Sequence, residues 1–190
     1  RYFTLDDSGN VKYLTDEEVA GSPDPLSGVG DGRVTEKRNR IFSNSEIRFR
    51  KPGGKIQIHR QIRQDLSDKE LAKDPRVIKH LEAKGGIVSM TKAASYLLSW
   101  DSFSTMRNYL IKNTTWMASD ATGVAPKWGS AAGFEYETYG GFTAAHLDSG
   151  NGVSSNWREL FSSQPKRKLA FRFGYYDKNT VDHLVIMKKK

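Results

Sequence analysis

Apolar residues on both sides of a polar turn predict an antiparallel hairpin at the start of the chain. Tyr2, Phe3 and Leu5 predict a short strand before the turn sequence Asp7-Ser8-Gly9-Asn10, and residues 11–14 predict the returning strand. Thr15 and Glu18 have the spacing of a capping box, which predicts a short helix directly after the hairpin.

A second hairpin is predicted from alternation over residues 46–50 and 55–59, on either side of Lys51-Pro52-Gly53-Gly54. A period of two gives each strand an apolar and a polar face. The apolar residues are expected to share one buried face: Ile47, Phe49, Ile56 and Ile58. The polar residues are expected to share the other, exposed face: Arg48, Arg50, Gln57 and His59.

Helical spacing of apolar residues dominates the middle of the chain. It predicts helices after Asp74-Pro75, over residues 87–100 and over residues 102–117, the last capped by Asp101 or Ser102. The glycines and aromatic rings of residues 128–157 favour long loops and short strands. A last hairpin is predicted from residues 169–174 and 183–187.

Together these elements predict an α+β fold, in which antiparallel hairpins from both halves of the chain pack on a central helical layer of residues 68–118. Residues 1–32 are predicted to form an acidic N-terminal arm and linker, because residues 21–32 contain four glycines and two prolines. Residues 33–190 are predicted to form a single α+β domain.

Composition limits the chemistry available to this chain of 190 residues. It contains no cysteine, which excludes disulfides, thiolate metal sites and a cysteine nucleophile. The four histidines lack the spacing of metal ligands, no phosphate-binding loop is present, and neither a metal nor a cofactor is predicted. No apolar run approaches the roughly 20 residues of a membrane-spanning helix. The composition favours an extracytoplasmic or secreted protein; a cytoplasmic location and a removed signal peptide both stay open.

The net charge of +8 is unevenly distributed. Residues 1–32 carry −5, residues 33–90 carry +8 and the remainder carries +5. Excess positive charge favours association with polyanions. The acidic arm is an alternative partner for the basic segment, and no sequence-specific nucleic-acid-binding motif is visible.

A catalytic site can be composed from residues near the end of the third predicted helix. His146 is the candidate base, and Asp120 or Asp148 is the candidate group that orients it. Thr122 is the candidate donor of a hydrogen bond to substrate. The alternative is a loop histidine that makes one structural hydrogen bond.

Two sets of candidate binding residues remain. Arg48, Arg50 and His59 form a basic face suited to phosphate or sulfate groups. The second set consists of aromatic residues that either stack on a ligand or fill a core: Trp128, Tyr136, Tyr139 and Trp157.

The sequence therefore favours a non-catalytic binding or assembly module. Its expected partner is a polysaccharide, another polyanion or a protein. The alternative is a hydrolase that uses the histidine and aspartates named above.

Overall fold

The computed structural model describes residues 1–20, 44–85, 89–92, 96–121, 123–142, 153–169 and 182–190. They include both helices and antiparallel sheets, which confirms the α+β class. The chain divides into two compact units, Arg1–Asp65 with Asp74–Lys84, and Leu66–Lys73 with Gly85–Lys190. The predicted boundary at residue 32 lies outside the described residues, and the predicted domain division stays a prediction. So does the packing of hairpins from both halves on one helical layer.

The elements of the described residues follow one another in an irregular alternation of strands and short helices. The strands are β1 (Phe3–Leu5), β2 (Val11–Tyr13), β3 (Ser45–Phe49), β4 (Gln57–Gln61), β5 (Ser89–Lys92), β6 (Trp116–Ser119), β7 (Phe134–Gly140) and β8 (His183–Lys189). The α-helices are α1 (Asp16–Ala20), α2 (Asp68–Lys73), α3 (Arg76–Ala83), α4 (Ser104–Asn113), α5 (Pro126–Gly129) and α6 (Val153–Ser163). None of these helices is long and apolar enough to cross a membrane.

The first unit confirms both hairpins predicted from its sequence. β1 pairs with β2 and β3 pairs with β4, each antiparallel. The capping box of α1 is also confirmed, since Glu18 N–H donates to Thr15 Oγ1 at 3.1 Å and Thr15 N–H donates to Glu18 Oε2 at 2.8 Å. Local sequence signals of short range are sufficient for these elements.

Among the described residues, a bridge between Tyr2 and Ser45 joins the two hairpins. Around it, Phe3 N–H donates to the Asn44 carbonyl at 3.2 Å and Glu46 N–H donates to the Arg1 carbonyl at 2.8 Å. The β1–β2 and β3–β4 sheets therefore meet where residues 1–3 lie beside the start of β3.

The turn between β1 and β2 packs against α3. His80 is buried, and its Nδ1 donates to the Gly9 carbonyl at 2.8 Å. Gly9 has a φ of +80°, and a Cβ there would lie 2.5 Å from the His80 backbone nitrogen. Only glycine meets both requirements, because other residues rarely adopt this φ and all of them carry a Cβ.

The faces predicted for the second hairpin are wrong. β3 and β4 pair Ile47 with His59 and Arg48 with Ile58. Residues opposite each other in an antiparallel pair share a face, so each face combines apolar and basic residues. The prediction placed β4 one residue out of register, and such a shift moves every side chain of a strand to the opposite face.

The second unit contains a mixed four-stranded sheet in the order β5-β6-β8-β7. β5 and β6 are parallel, whereas β8 is antiparallel to both β6 and β7. The helix predicted over residues 87–100 is therefore wrong at β5, and the third predicted helix ends at Asn113 because residues 116–119 join the sheet. Pairing between distant segments overrides local helical spacing.

The loops and short strands predicted for residues 128–157 are wrong at their end. Residues 153–157 belong to the helix α6. In the last predicted hairpin, residues 170–181 lie outside the described residues, and the described β8 pairs with β6 and β7.

The cap of α4 comes from a distant helix, not from Asp101 or Ser102. The Asp68 carboxylate on α2 accepts Ser104 N–H at 3.0 Å and Thr105 N–H at 2.8 Å. The Ser104 hydroxyl also donates to it, at 2.7 Å. A carboxylate satisfies the free amides of a first helical turn, so this contact ties α2 to α4.

We expect Gly9→Ala to destabilise the chain by more than Gly53→Ala. Both glycines have positive φ, but a Cβ at Gly53 meets open space, whereas at Gly9 it meets α3. The backbone strain alone costs about 1 kcal/mol, and the contact at Gly9 adds to it. Urea denaturation of both variants gives the difference, and equal losses of unfolding free energy would contradict the close packing on α3.

Candidate functional site

The residues of the predicted catalytic site are only partly described. Asp120 is buried directly after β6. Thr122, His146 and Asp148 lie outside the described residues. The histidine–aspartate pair of the hydrolase hypothesis therefore stays a prediction.

His183 is a buried polar residue that the sequence did not single out. Its Nε2 accepts the backbone N–H of Ala121 at 3.0 Å, and its ring packs against Phe142 and Phe161 with centroids 5.7 and 5.5 Å apart. An Nε2 that accepts a hydrogen bond belongs to a neutral ring that carries its proton on Nδ1. His183 thus links the start of β8 to the segment after β6, across 62 residues of sequence.

Two of the four candidate aromatic ligands belong to the core. Trp157 is fully buried and Tyr136 is nearly so, and their rings meet edge to face with centroids 6.1 Å apart. The Tyr136 hydroxyl donates to the Val124 carbonyl at 2.9 Å, and burial raises the pKa of this hydroxyl. This burial agrees with the alternative that both rings fill the core, and ligand contact at Tyr136 and Trp157 stays a prediction.

Trp128 and Tyr139 are half-buried and engaged with neighbouring charges. The Arg107 guanidinium lies 3.9 Å from the centroid of the Trp128 ring, and the Lys127 ammonium lies 4.3 Å from it. The Tyr139 hydroxyl donates to Glu137 at 3.0 Å. Both rings therefore have partners within the protein, through cation–π attraction at Trp128 and a hydrogen bond at Tyr139. Ligand contact at either residue stays a prediction.

The basic candidates Arg48, Arg50 and His59 are all exposed, but they do not form one face. Arg48 lies opposite Ile58, and His59 lies opposite Ile47 on the other side of the sheet. The register therefore separates His59 from Arg48, and binding of phosphate or sulfate groups at these residues stays a prediction.

Glu46 is the buried centre of the first unit. Its carboxylate accepts hydrogen bonds from Arg48 Nε and Arg60 Nε, both at 2.6 Å, and from the Tyr13 hydroxyl at 2.8 Å. Burial alone would raise the pKa of Glu46, but these donors outweigh it and lower the pKa to about 2. One carboxylate therefore joins β2, β3 and β4 and neutralises the two arginines nearest to it.

The charges at the other end of this hairpin lack such compensation. Arg50, Lys51 and Lys55 make no ion pair with any described residue. Residues 45–61 contain five Arg or Lys and one Glu, a net charge of +4. Within the described residues, the acidic arm supplies no ion pair to the turn of this hairpin.

The same hairpin exposes large apolar side chains. Four of the five exposed large apolar residues in the described parts of the chain lie on it. Their exposed fractions are 60% for Ile47, 52% for Phe49, 58% for Ile56 and 49% for Ile58. We call these four residues, with Arg50, Lys51 and Lys55, the hairpin patch. Its alternation was visible in the sequence, but the exposure of both faces was not.

Comparison with protein-family models, with curated proteins and with solved structures finds no match for this chain. Among the described residues, no cluster of His, Asp or Glu is suited to a metal ion. The geometry of the hairpin patch is therefore the basis for assigning a function.

We expect Glu46→Gln to lower the free energy of unfolding by about 2–4 kcal/mol at neutral pH, because it leaves Arg60 partly buried without its counter-ion. The folded-state pKa of Glu46 lies below its ordinary value of 4.5. The contribution of its carboxylate is thus complete above pH 4.5 and is lost as the pH falls towards 2.

Urea denaturation of the native chain and of Glu46→Gln across this acid range measures the effect. The difference between them should shrink on acidification, whereas the exposed control Glu82→Gln should show a small difference throughout. A Glu46→Gln difference that is the same at both ends of the range would contradict the assignment.

Proposed function

We propose that this chain is a non-catalytic binding module whose β3–β4 hairpin docks on an acidic protein partner. The observation that carries the proposal is the hairpin patch, which combines four exposed apolar side chains with three cations that lack an ion pair within the described residues.

The apolar part of the patch supports a protein partner. Single exposed apolar residues are normal on soluble proteins, but clusters of them mark interaction sites. Burial of a large apolar side chain contributes about 1.5–3 kcal/mol, so Ile47 and Phe49 alone offer substantial binding energy. A polyanion held only by charge would leave these side chains in water.

The charge of the patch supports an acidic partner. The net charge of +4 over residues 45–61 attracts negative surfaces and speeds their association. It also opposes pairing of two copies through this hairpin, since like charges would meet. A polysaccharide is less well supported, because Trp157 and Tyr136 are buried and offer no stacking platform.

The experiment measures binding of a short synthetic peptide in which valine alternates with glutamate. A peptide that alternates serine with glutamate has the same charge without apolar side chains, and a heparin oligosaccharide represents a polyanion. We expect the first probe to bind at least about tenfold more tightly than the other two, a difference of roughly 1.4 kcal/mol. If all three probes bind equally tightly, the partner is a polyanion recognised by charge and the proposed protein partner is wrong. If the valine–glutamate peptide does not bind, the proposal is contradicted.

We further expect Ile47→Ser/Phe49→Ser to weaken binding of the valine–glutamate peptide about tenfold or more, because both side chains lose their apolar contact. Both are exposed, so the fold should persist, which circular dichroism checks. Trp100→Ser removes an exposed apolar residue from the other unit and serves as the matched control. Equal affinities of the double variant and this control would remove the hairpin patch from the interface.

A further inference from the structure

We propose that the partner binds by adding an extended segment to the outer edge of β4, through the backbone of Ile58 and Arg60. This inference rests on the proposed function and gives it a docking mode and a partner type. Strand addition obtains affinity from main-chain hydrogen bonds and specificity from alternating side chains.

The directions of the backbone groups follow from the hydrogen bonds at the base of the hairpin. Glu46 N–H donates to the Arg1 carbonyl, and the Asn44 carbonyl accepts from Phe3 N–H. The N–H and C=O groups of Asn44 and Glu46 therefore point towards the N-terminal strand. Because successive residues of a strand direct these groups to opposite edges, those of Ser45, Ile47 and Phe49 point towards β4.

The register carries this assignment across to β4. Ser45, Ile47 and Phe49 lie opposite Gln61, His59 and Gln57. The backbone groups of those three residues are thus used within the hairpin. The N–H and C=O groups of Ile58 and Arg60 point away from β3, at the outer edge.

This outer edge has no strand beside it in the described part of the chain. Of the features with which proteins protect an edge, β4 lacks proline and a β-bulge, since residues 57–61 contain no proline and the strand pairs regularly along its whole length. An edge of this kind is a template for a further strand.

The surroundings of the edge indicate which segment fits. Across the register, Ile47 and Phe49 share a face with His59 and Gln57 of β4, whereas Ile58 lies on the other face. Lys51 and Lys55 lie at the turn where β4 begins. The partner segment is therefore extended, with its apolar residues on the face of Ile47 and Phe49 and acidic residues where it passes the turn. A second copy of β4 would bring Arg60 and Lys55 instead of the acids.

Amide hydrogen exchange of the native chain, with and without the valine–glutamate peptide, tests the inference. We expect exchange at the Ile58 and Arg60 amides to slow at least about tenfold when the peptide is bound, because both gain a hydrogen bond. The Gln57 and His59 amides already bond to β3 and serve as internal controls.

If the peptide binds and Ile47→Ser/Phe49→Ser weakens it, but the Ile58 and Arg60 amides exchange as before, strand addition is overturned and the proposed function stands. If the peptide does not bind at all, both are overturned.

The variants Ile58→Pro and Ile58→Ala give a second test. Both remove the isoleucine side chain, but only proline also removes the outward N–H, and proline is tolerated on edge strands. We expect Ile58→Pro to bind the peptide at least about tenfold more weakly than Ile58→Ala. Equal affinities would overturn the inference. If Ile58→Pro fails to fold by circular dichroism, the exchange measurement on the native chain decides.

Discussion

The buried carboxylate of Glu46 is the interaction on which the first unit depends. Its donors come from three strands, since Tyr13 lies on β2 and Arg60 on β4. Backbone bonds between Arg1 and Glu46 add the N-terminal strand to the same point. A buried charge is costly unless its hydrogen bonds are satisfied, and the observed register supplies all three donors to Glu46.

The contacts of Glu46 hold the base of the β3–β4 hairpin in place, so the residues near its turn can stay exposed to a partner. Glu46 forms ion pairs with Arg48 and Arg60. The cations at the turn form no ion pair with a described residue: Arg50, Lys51 and Lys55. The apolar side chains near them are exposed on both faces of the two-stranded sheet. An isolated two-stranded sheet is only marginally stable in water. In this hairpin, the hydrogen bonds of Glu46 at the base add stability that a packed face would otherwise supply.

Local sequence signals predicted some elements well and failed at others for an identifiable reason. The β1–β2 hairpin and the capping box of α1 depend on contacts between neighbours, and both are confirmed. Residues 89–92 have helical spacing but pair with β6, which lies far along the chain. The candidate site shows the same division, because its basic and apolar residues were identified while their distribution over two faces was not.

The sequence by itself determined the α+β class, the positions of the two N-terminal hairpins and the excess of cations near residue 50. Turn chemistry, alternation and charge are properties of neighbouring residues, so they can be read locally. Only the tertiary structure decided which side chains share a face, that Trp157 fills the core and that one edge of β4 has no strand beside it in the described part of the chain. Register and burial depend on contacts between distant segments, and in the β3–β4 hairpin a shift of one residue exchanges the two faces.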